Sequence, residues 1–168
     1  YNKNVFNSEI ETCEKVLQKL NSTHGQSDLM AEEAVAKKAY YEIFRRGLKN
    51  EDFEFTKRTF NPPTNEVNAL LSYGYALLYS EVSGAIESGG IDPTISYLHS
   101  PSVRRTSLAL DIADIFKPTL IDRLVLRIIN RNQIKPDHFD SQTNSVLLSE
   151  SGRKIFVKEY ENMLEETV

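Results

Sequence analysis

Apolar positions recur at helical spacing along most of this chain. In "NSEIETCEKVLQKL", Ile10, Cys13, Val16, Leu17 and Leu20 fall on one stripe, and Asn7 or Ser8 can cap its start. "NSTHGQS" then breaks the pattern with polar, turn-forming residues. "DLMAEEAVAKKAYYEIFRRGL" predicts a second helix, opened by Ser27 or Asp28 and closed near Gly47. "KNEDFEFTKRTFNPP" alternates weakly and ends in two prolines, which predicts a loop or a short edge strand. "TNEVNALLSYGYALLYSEVSGAIES" is apolar almost all round and stops at Gly89 and Gly90. That pattern predicts a buried central helix over about residues 65–88, with Ala69, Ser72, Gly74 and Ala76 allowing close neighbours.

The second half continues in the same manner. "RTSLALDIADIF" is a helix that Pro118 kinks or ends, and "PTLIDRLVLRIINRN" resumes it. "QIKPDHFDSQTNS" is turn-rich and predicts a loop, and "SESGRKIFVKEYENMLEE" predicts a last helix. The fold class is therefore all-α: several helices around a buried central one. We take residues 1–168 as one helical domain, with 1–27 as a lead-in helix and loop. Its 168 residues suit a single domain.

Composition narrows the class further. With 40% hydrophobic residues the chain can build a core, and no apolar run is long enough to span a membrane. Cys13 is alone, so no internal disulfide forms, and a cytoplasmic setting is expected. The chain opens on Tyr1 and ends on the acidic "EYENMLEETV", which reads as a piece of something longer. The net charge of −4 argues against nucleic acid, but its distribution does not. Residues 99–135 carry seven Lys or Arg against three Asp, a local balance of +4 that leaves −8 for the remainder. Local charge governs contacts, because salt screens fields beyond about 8 Å.

The candidate chemistry lies in "YLHSPSVRRTSLALDIADIFKP". Asp111 and Asp114 stand three apart, which puts both carboxylates on one helix face. Two oxygen donors so placed suit a hard divalent cation. The competing reading is structural: Asp111 offsets the helix dipole and Asp114 pairs with Lys117. His99, ahead of the helix, could be a ligand, a base or a packing residue. Arg123, Arg127 and Arg131 recur every fourth residue, and with Arg104 and Arg105 they are candidates for phosphate contact or for a solvated face. Glu32 and Glu33 look locally like first-turn acids answering the dipole. Tyr73, Tyr75 and Tyr79 look like core. His24 and His138 sit in polar loops without a constellation around them.

Taken in order, several segments resemble the CRISPR-associated Cas-one family, the adaptation integrases also described as CRISPR-associated endonucleases. They are "DLMAEEAVAKKAYYEIF", "NPPTNEVNALLSYGYALLYSEV", "GGIDPTISYLH", "SLALDIADIFKPTLIDRLVLRIINR" and "VLLSESGRKIFVKEYENML". The resemblance runs from about residue 28 to 164 and matches the family's helical C-terminal catalytic domain. The β-rich N-terminal domain and the last stretch of the C-terminal one are not represented.

The resemblance implies a metal-dependent DNA endonuclease and integrase that inserts spacers into a CRISPR array. It implies that Glu33, His99 and Asp114 hold Mn²⁺ or Mg²⁺, with Asp111 as a supporting acid. Ala31 and Ala34 replace the glycines that usually flank the Glu, so Glu32 stays a rival ligand. Lys117 stands where the family has Arg, and Ser96 where it has Gly. The charge pattern adds Arg104, Arg105, Arg123 and Arg127 as DNA contacts. The implied partners are double-stranded or branched DNA, a second copy in the full-length protein and the second CRISPR adaptation protein, with no membrane. Two alternatives stand beside this reading: a transposon-encoded integrase with the same catalytic domain, and a non-catalytic protein-interaction module.

Overall fold

The computed structural model describes residues 6–22, 25–94 and 106–166. Two compact units divide the chain, residues 1–47 and 48–168.

The first unit is a helical hairpin of α1 (Asn7–Leu20) and α2 (Gln26–Gly47). Neither Asn7 nor Ser8 caps α1. The residue before the helix is Phe6, and the Ser8 hydroxyl is spent on Glu9 at 2.8 Å. Arg46 of α2 grips the other oxygen of Glu9 at 2.7 Å and reaches Glu42 at 3.3 Å, which fastens the open end of the hairpin. The expected α1 stripe is only partly used. Val16 is buried, whereas Ile10, Leu17 and Leu20 stay exposed. A two-helix hairpin has one face to cover, and Ala39 and Phe44 complete what it covers.

The second unit is built on α3 (Glu66–Ser88). Asn65 caps it by accepting the Asn68 N–H, and Gly90 leaves it at φ +67°, a left-handed turn that favours glycine. Its first half is enclosed: Val67, Asn68, Leu70 and Leu71 have no measurable exposure. Beyond Gly74 it is covered on one side only, so the expected close approach at Ala76 does not occur and Ala76 is exposed.

Helix α4 (Ser107–Phe116) runs directly into α5 (Arg123–Asn130) through a six-residue π segment, Lys117–Asp122. Pro118 therefore neither stops the rod nor leaves it regular. It has no N–H to donate, and the wider π register absorbs that loss. Ile121, Leu124, Val125, Ile128 and Ile129 enter the core completely. Gly74 is where α3 meets this rod and the last helix, α6 (Glu150–Glu165). A Cβ there would lie 2.5 Å from Ile121 and 2.8 Å from Phe156.

One prediction is corrected between α5 and α6. The turn-rich stretch folds into a 3-10 turn (Pro136–His138) and an antiparallel hairpin of β1 (Phe139–Gln142) and β2 (Ser145–Leu148). Phe139, Val146 and Leu148 point inward, and the Val146 N–H donates to the Pro63 carbonyl. Ser149 then caps α6 by accepting the Gly152 N–H at 3.2 Å. The stretch before α3 forms no strand, but its alternation is real: Phe53 and Phe55 are both buried. The architecture is all-α apart from that small hairpin. Among the described residues, no helix is long and apolar enough to cross a membrane.

Candidate functional site

Helix α4 carries the carboxylate pair. Leu108, Ala109 and Ile112 pack it onto Tyr79, Val82 and Ile86 of α3. This contact fixes the helix's rotation and holds Asp111 and Asp114 off the core face, half-buried and one turn apart. The apolar neighbours divide by role. Leu108 and Ile112 hold the helix, whereas Ile115 and Phe116 are 71% and 43% exposed.

Asp114 already meets a cation. The Lys117 ammonium donates to its Oδ1, with 25% of the lysine side chain and 19% of the aspartate side chain exposed. The i,i+3 pairing read from the sequence is therefore present, and it is better shielded than an ordinary surface pair. Lys117 also lies 4.8 Å from the centroid of the Tyr75 ring. The Arg58 guanidinium lies 5.2 Å from the same centroid, so one ring carries two cations. Arg58 is itself held by Asn68 at 3.1 Å and Ser72 at 2.9 Å. The Tyr75 hydroxyl donates to Asp122 Oδ1 at 2.6 Å, and Asp122 is 2% exposed.

Sequence reasoning placed Tyr75 in the core and assigned Asp122 no part. Only their separation by 47 positions across two helices makes them a pair, so no local signal reveals it. Two polar side chains facing apolar runs were the available hint, since a buried carboxylate requires a partner. Tyr73 and Tyr79 do serve packing: Tyr73 meets Phe156 edge-on at 5.4 Å, and the Tyr79 hydroxyl meets that of Thr106.

The other candidates are distributed as follows. Glu33 pairs with Lys37 one turn on, at 2.6 Å. Its rival Glu32 takes the Lys19 ammonium at 3.3 Å on one oxygen, and the other oxygen is buried without a hydrogen-bond partner. Both glutamates belong to the first unit and the aspartates to the second. His99, Arg104 and Arg105 lie outside the described residues. Arg123 and Arg131 are exposed. Arg127 differs: its side chain is 13% exposed and its Nη1 donates to Glu166 at 2.7 Å. His138 accepts the Lys135 N–H on Nδ1, which makes it a loop fastener.

Among the described residues, no three His, Cys, Asp or Glu side chains converge as a metal cage. The donor chemistry nevertheless fits a hard divalent ion. Asp111 and Asp114 offer oxygens from one face of a fixed helix, and the Asp114 carboxylate demonstrably holds a positive charge in the form of Lys117.

Known proteins resemble this chain along its length. "CRISPR-associated endonuclease Cas1 2" of Moorella thermoacetica is 44% identical over 166 residues, covering 99% of this chain and 51% of the relative. The structure of TM1797, a Cas1 protein from Thermotoga maritima, superposes with a TM-score of 0.88 at 37% identity, covering 97% of this chain and 56% of that one. A chain of a partial Cas6-RT-Cas1–Cas2 complex superposes with a TM-score of 0.91 at 28% identity, covering 100% of this chain and 52% of that one. The chain thus spans about half the length of the relatives it matches. The sequence also matches the family described as "CRISPR associated protein Cas1" over residues 1–162, and with that match the chain belongs to the Cas1 family.

Proposed function

We propose that this chain forms the metal-dependent catalytic part of a DNA endonuclease and integrase of CRISPR spacer acquisition. The reaction is cleavage of a DNA phosphodiester, or attack on one by a DNA 3′-hydroxyl. The observation that supports this reading is the Asp111–Asp114 pair, one turn apart on a helix locked to α3. It stands in a family whose curated relatives are named CRISPR-associated endonucleases.

In this reading Asp114 is a ligand and Asp111 supports it. Glu33 and His99 enter as ligands from the family resemblance, and Glu32 remains the alternative to Glu33 because one of its oxygens is buried and unpartnered. Mn²⁺ or Mg²⁺ would supply Lewis-acid polarisation of a phosphoryl oxygen. The chain's own residues supply orientation. The packed helix fixes the carboxylates, and Arg104, Arg105 and Arg123 contribute positive charge for the phosphate backbone. The second adaptation protein and a second copy of the chain are proposed partners; a structural relative belongs to a partial Cas6-RT-Cas1–Cas2 complex.

The decisive assay measures Mn²⁺ binding, then cleavage and strand transfer on branched DNA, for wild type, His99→Ala and Asp114→Ala. Both variants are expected to lose metal and activity. Equal metal binding and equal activity in all three proteins would overturn the ligand set, whereas no Mn²⁺ binding together with an Asp114→Ala variant unchanged in every measured property would favour a non-catalytic interaction module.

A further inference from the structure

We propose that Lys117 is a built-in competitor for the metal at Asp114: its ammonium holds the carboxylate in the metal-free chain, and a divalent cation must displace it. The inference rests on the reading of Asp114 as a ligand and adds to it a residue that sets the metal affinity.

Four contacts carry it. The Lys117–Asp114 pair is three-quarters shielded on the lysine side and about four-fifths on the aspartate side, since 25% and 19% of the two side chains are exposed. Charge interactions there are screened less than at an open surface. The Lys117 backbone is fixed one turn beyond Asp114, because its N–H bonds to the Ala113 carbonyl. The Tyr75 ring gives the ammonium a second anchor at 4.8 Å. That ring is held in turn by its hydroxyl bond to the buried Asp122. Lys117 is therefore positioned by the fold at the carboxylate rather than wandering near it.

A divalent ion on the same carboxylate would face the ammonium at close range. Like charges in a half-buried site repel strongly, so the two cations exclude each other. The lysine stem can swing outward into solvent, whereas Asp114 and Tyr75 are set by packed helices. Leaving the ring is tolerable because Arg58 remains over it at 5.2 Å. Lys117 is thus a positioning residue that acts through Asp114.

Two measurements on the chain test this. In calorimetric or electron-spin-resonance titrations with Mn²⁺ alone, Lys117→Gln should tighten binding at least about fivefold, the lower end of typical site coupling. Lys117→Arg keeps the cation and should bind like wild type. A lysine with a merely structural role would give unchanged or weaker binding in Lys117→Gln, and that result overturns the proposal. The second measurement uses the unaltered protein. Acylation of Lys117 by an amine-reactive reagent, read by peptide mass spectrometry, should speed up several-fold when Mn²⁺ is added; an unchanged rate overturns the proposal. Asp114→Asn separates the two levels. If it abolishes Mn²⁺ binding while Lys117→Gln fails to tighten it, the ligand assignment stands and the competition alone is wrong. If wild type binds no Mn²⁺, or Asp114→Asn binds equally well, the ligand assignment fails and the competition falls with it.

Discussion

Tyr75 and Asp122 are joined across α3 and the π segment by a 2.6 Å hydrogen bond, hydroxyl to carboxylate. Asp122 is buried to 2% exposure, so this bond offsets part of the cost of placing a carboxylate in the core. Tyr75→Phe keeps the ring and removes one donor to a buried acid. It should destabilise the chain by about 1–3 kcal/mol in denaturant unfolding. Asp122→Asn, which stays polar but is neutral, should lower the cost of the Tyr75→Phe change when the two are combined. A fully additive double-mutant cycle would show that the two side chains do not interact.

Gly74 sits where three elements meet. An added methyl group would approach Ile121 at 2.5 Å and Phe156 at 2.8 Å, both fully buried. Neither neighbour can swing away into solvent. Helix propensity favours alanine over glycine by about 1 kcal/mol, which acts in the opposite direction. Overpacking in a closed core costs typically about 1–3 kcal/mol, so Gly74→Ala should be neutral at best and is expected to destabilise. Thermal unfolding should show a midpoint lowered by a few degrees; a raised midpoint would mean that the rod and α6 move apart freely.

What could be read from the sequence follows from how local each cause is. The central helix was legible because its almost all-round apolar pattern and its stop at Gly89 and Gly90 lie within one stretch, whereas its Asn65 cap came from the structure. Pro118 predicted a kink or an end of the helix, and the packing of Ile121 into the core goes with a rod that continues through it in a π register. The β1–β2 hairpin was missed because β1 buries only Phe139 and shows no alternation of its own. The stripe on α1 was over-read: periodicity identifies a face, and α2 covers only Val16 fully. At the site, the Asp111–Asp114 spacing and the Lys117 pairing were local and therefore visible. Glu33 became a candidate only through family resemblance, since Glu33 and Glu32 look equally like first-turn acids. The Arg58–Tyr75–Asp122 chain joins three separated segments, so no one of them reveals the partners.

Tyr160 ties α6 to α3 by donating its hydroxyl to Glu81 Oε2 at 2.7 Å. Burial, first, and the neighbouring Glu81 carboxylate, second, push its ionisation well above the usual tyrosine range. A group whose folded pKa is raised contributes stability that is present below its unfolded pKa and is lost as pH rises past it. The loss should therefore begin above about pH 10, the ordinary tyrosine value, and be absent at neutral pH. Tyr160→Phe should flatten the fall in stability above that pH while costing about 1 kcal/mol at pH 7 from the lost bond. Spectrophotometric titration checks the same group, since the latest phase of tyrosine ionisation should vanish in the variant.

Arg123 and Arg127 stand four residues apart on α5, but the structure gives them different surroundings. Arg123 is exposed, whereas Arg127 is 13% exposed and paired with Glu166 at 2.7 Å. The Arg127 Nε is buried without a partner, so this side chain belongs to the junction of α5 and α6. If the chain binds DNA through this helix, Arg123 rather than Arg127 is presented for it. Each phosphate contact contributes about 0.9 to the slope of log affinity against log salt. Arg123→Gln should lower that slope by about this amount and leave the unfolding midpoint in place. Arg127→Gln should leave the slope unchanged and reduce stability by up to about 1 kcal/mol, the range for a pair with one exposed partner. The opposite pattern, with Arg127 moving the slope and Arg123 the stability, would mean that the Glu166 pair opens when DNA binds and that the Arg123, Arg127 and Arg131 stripe acts as a unit.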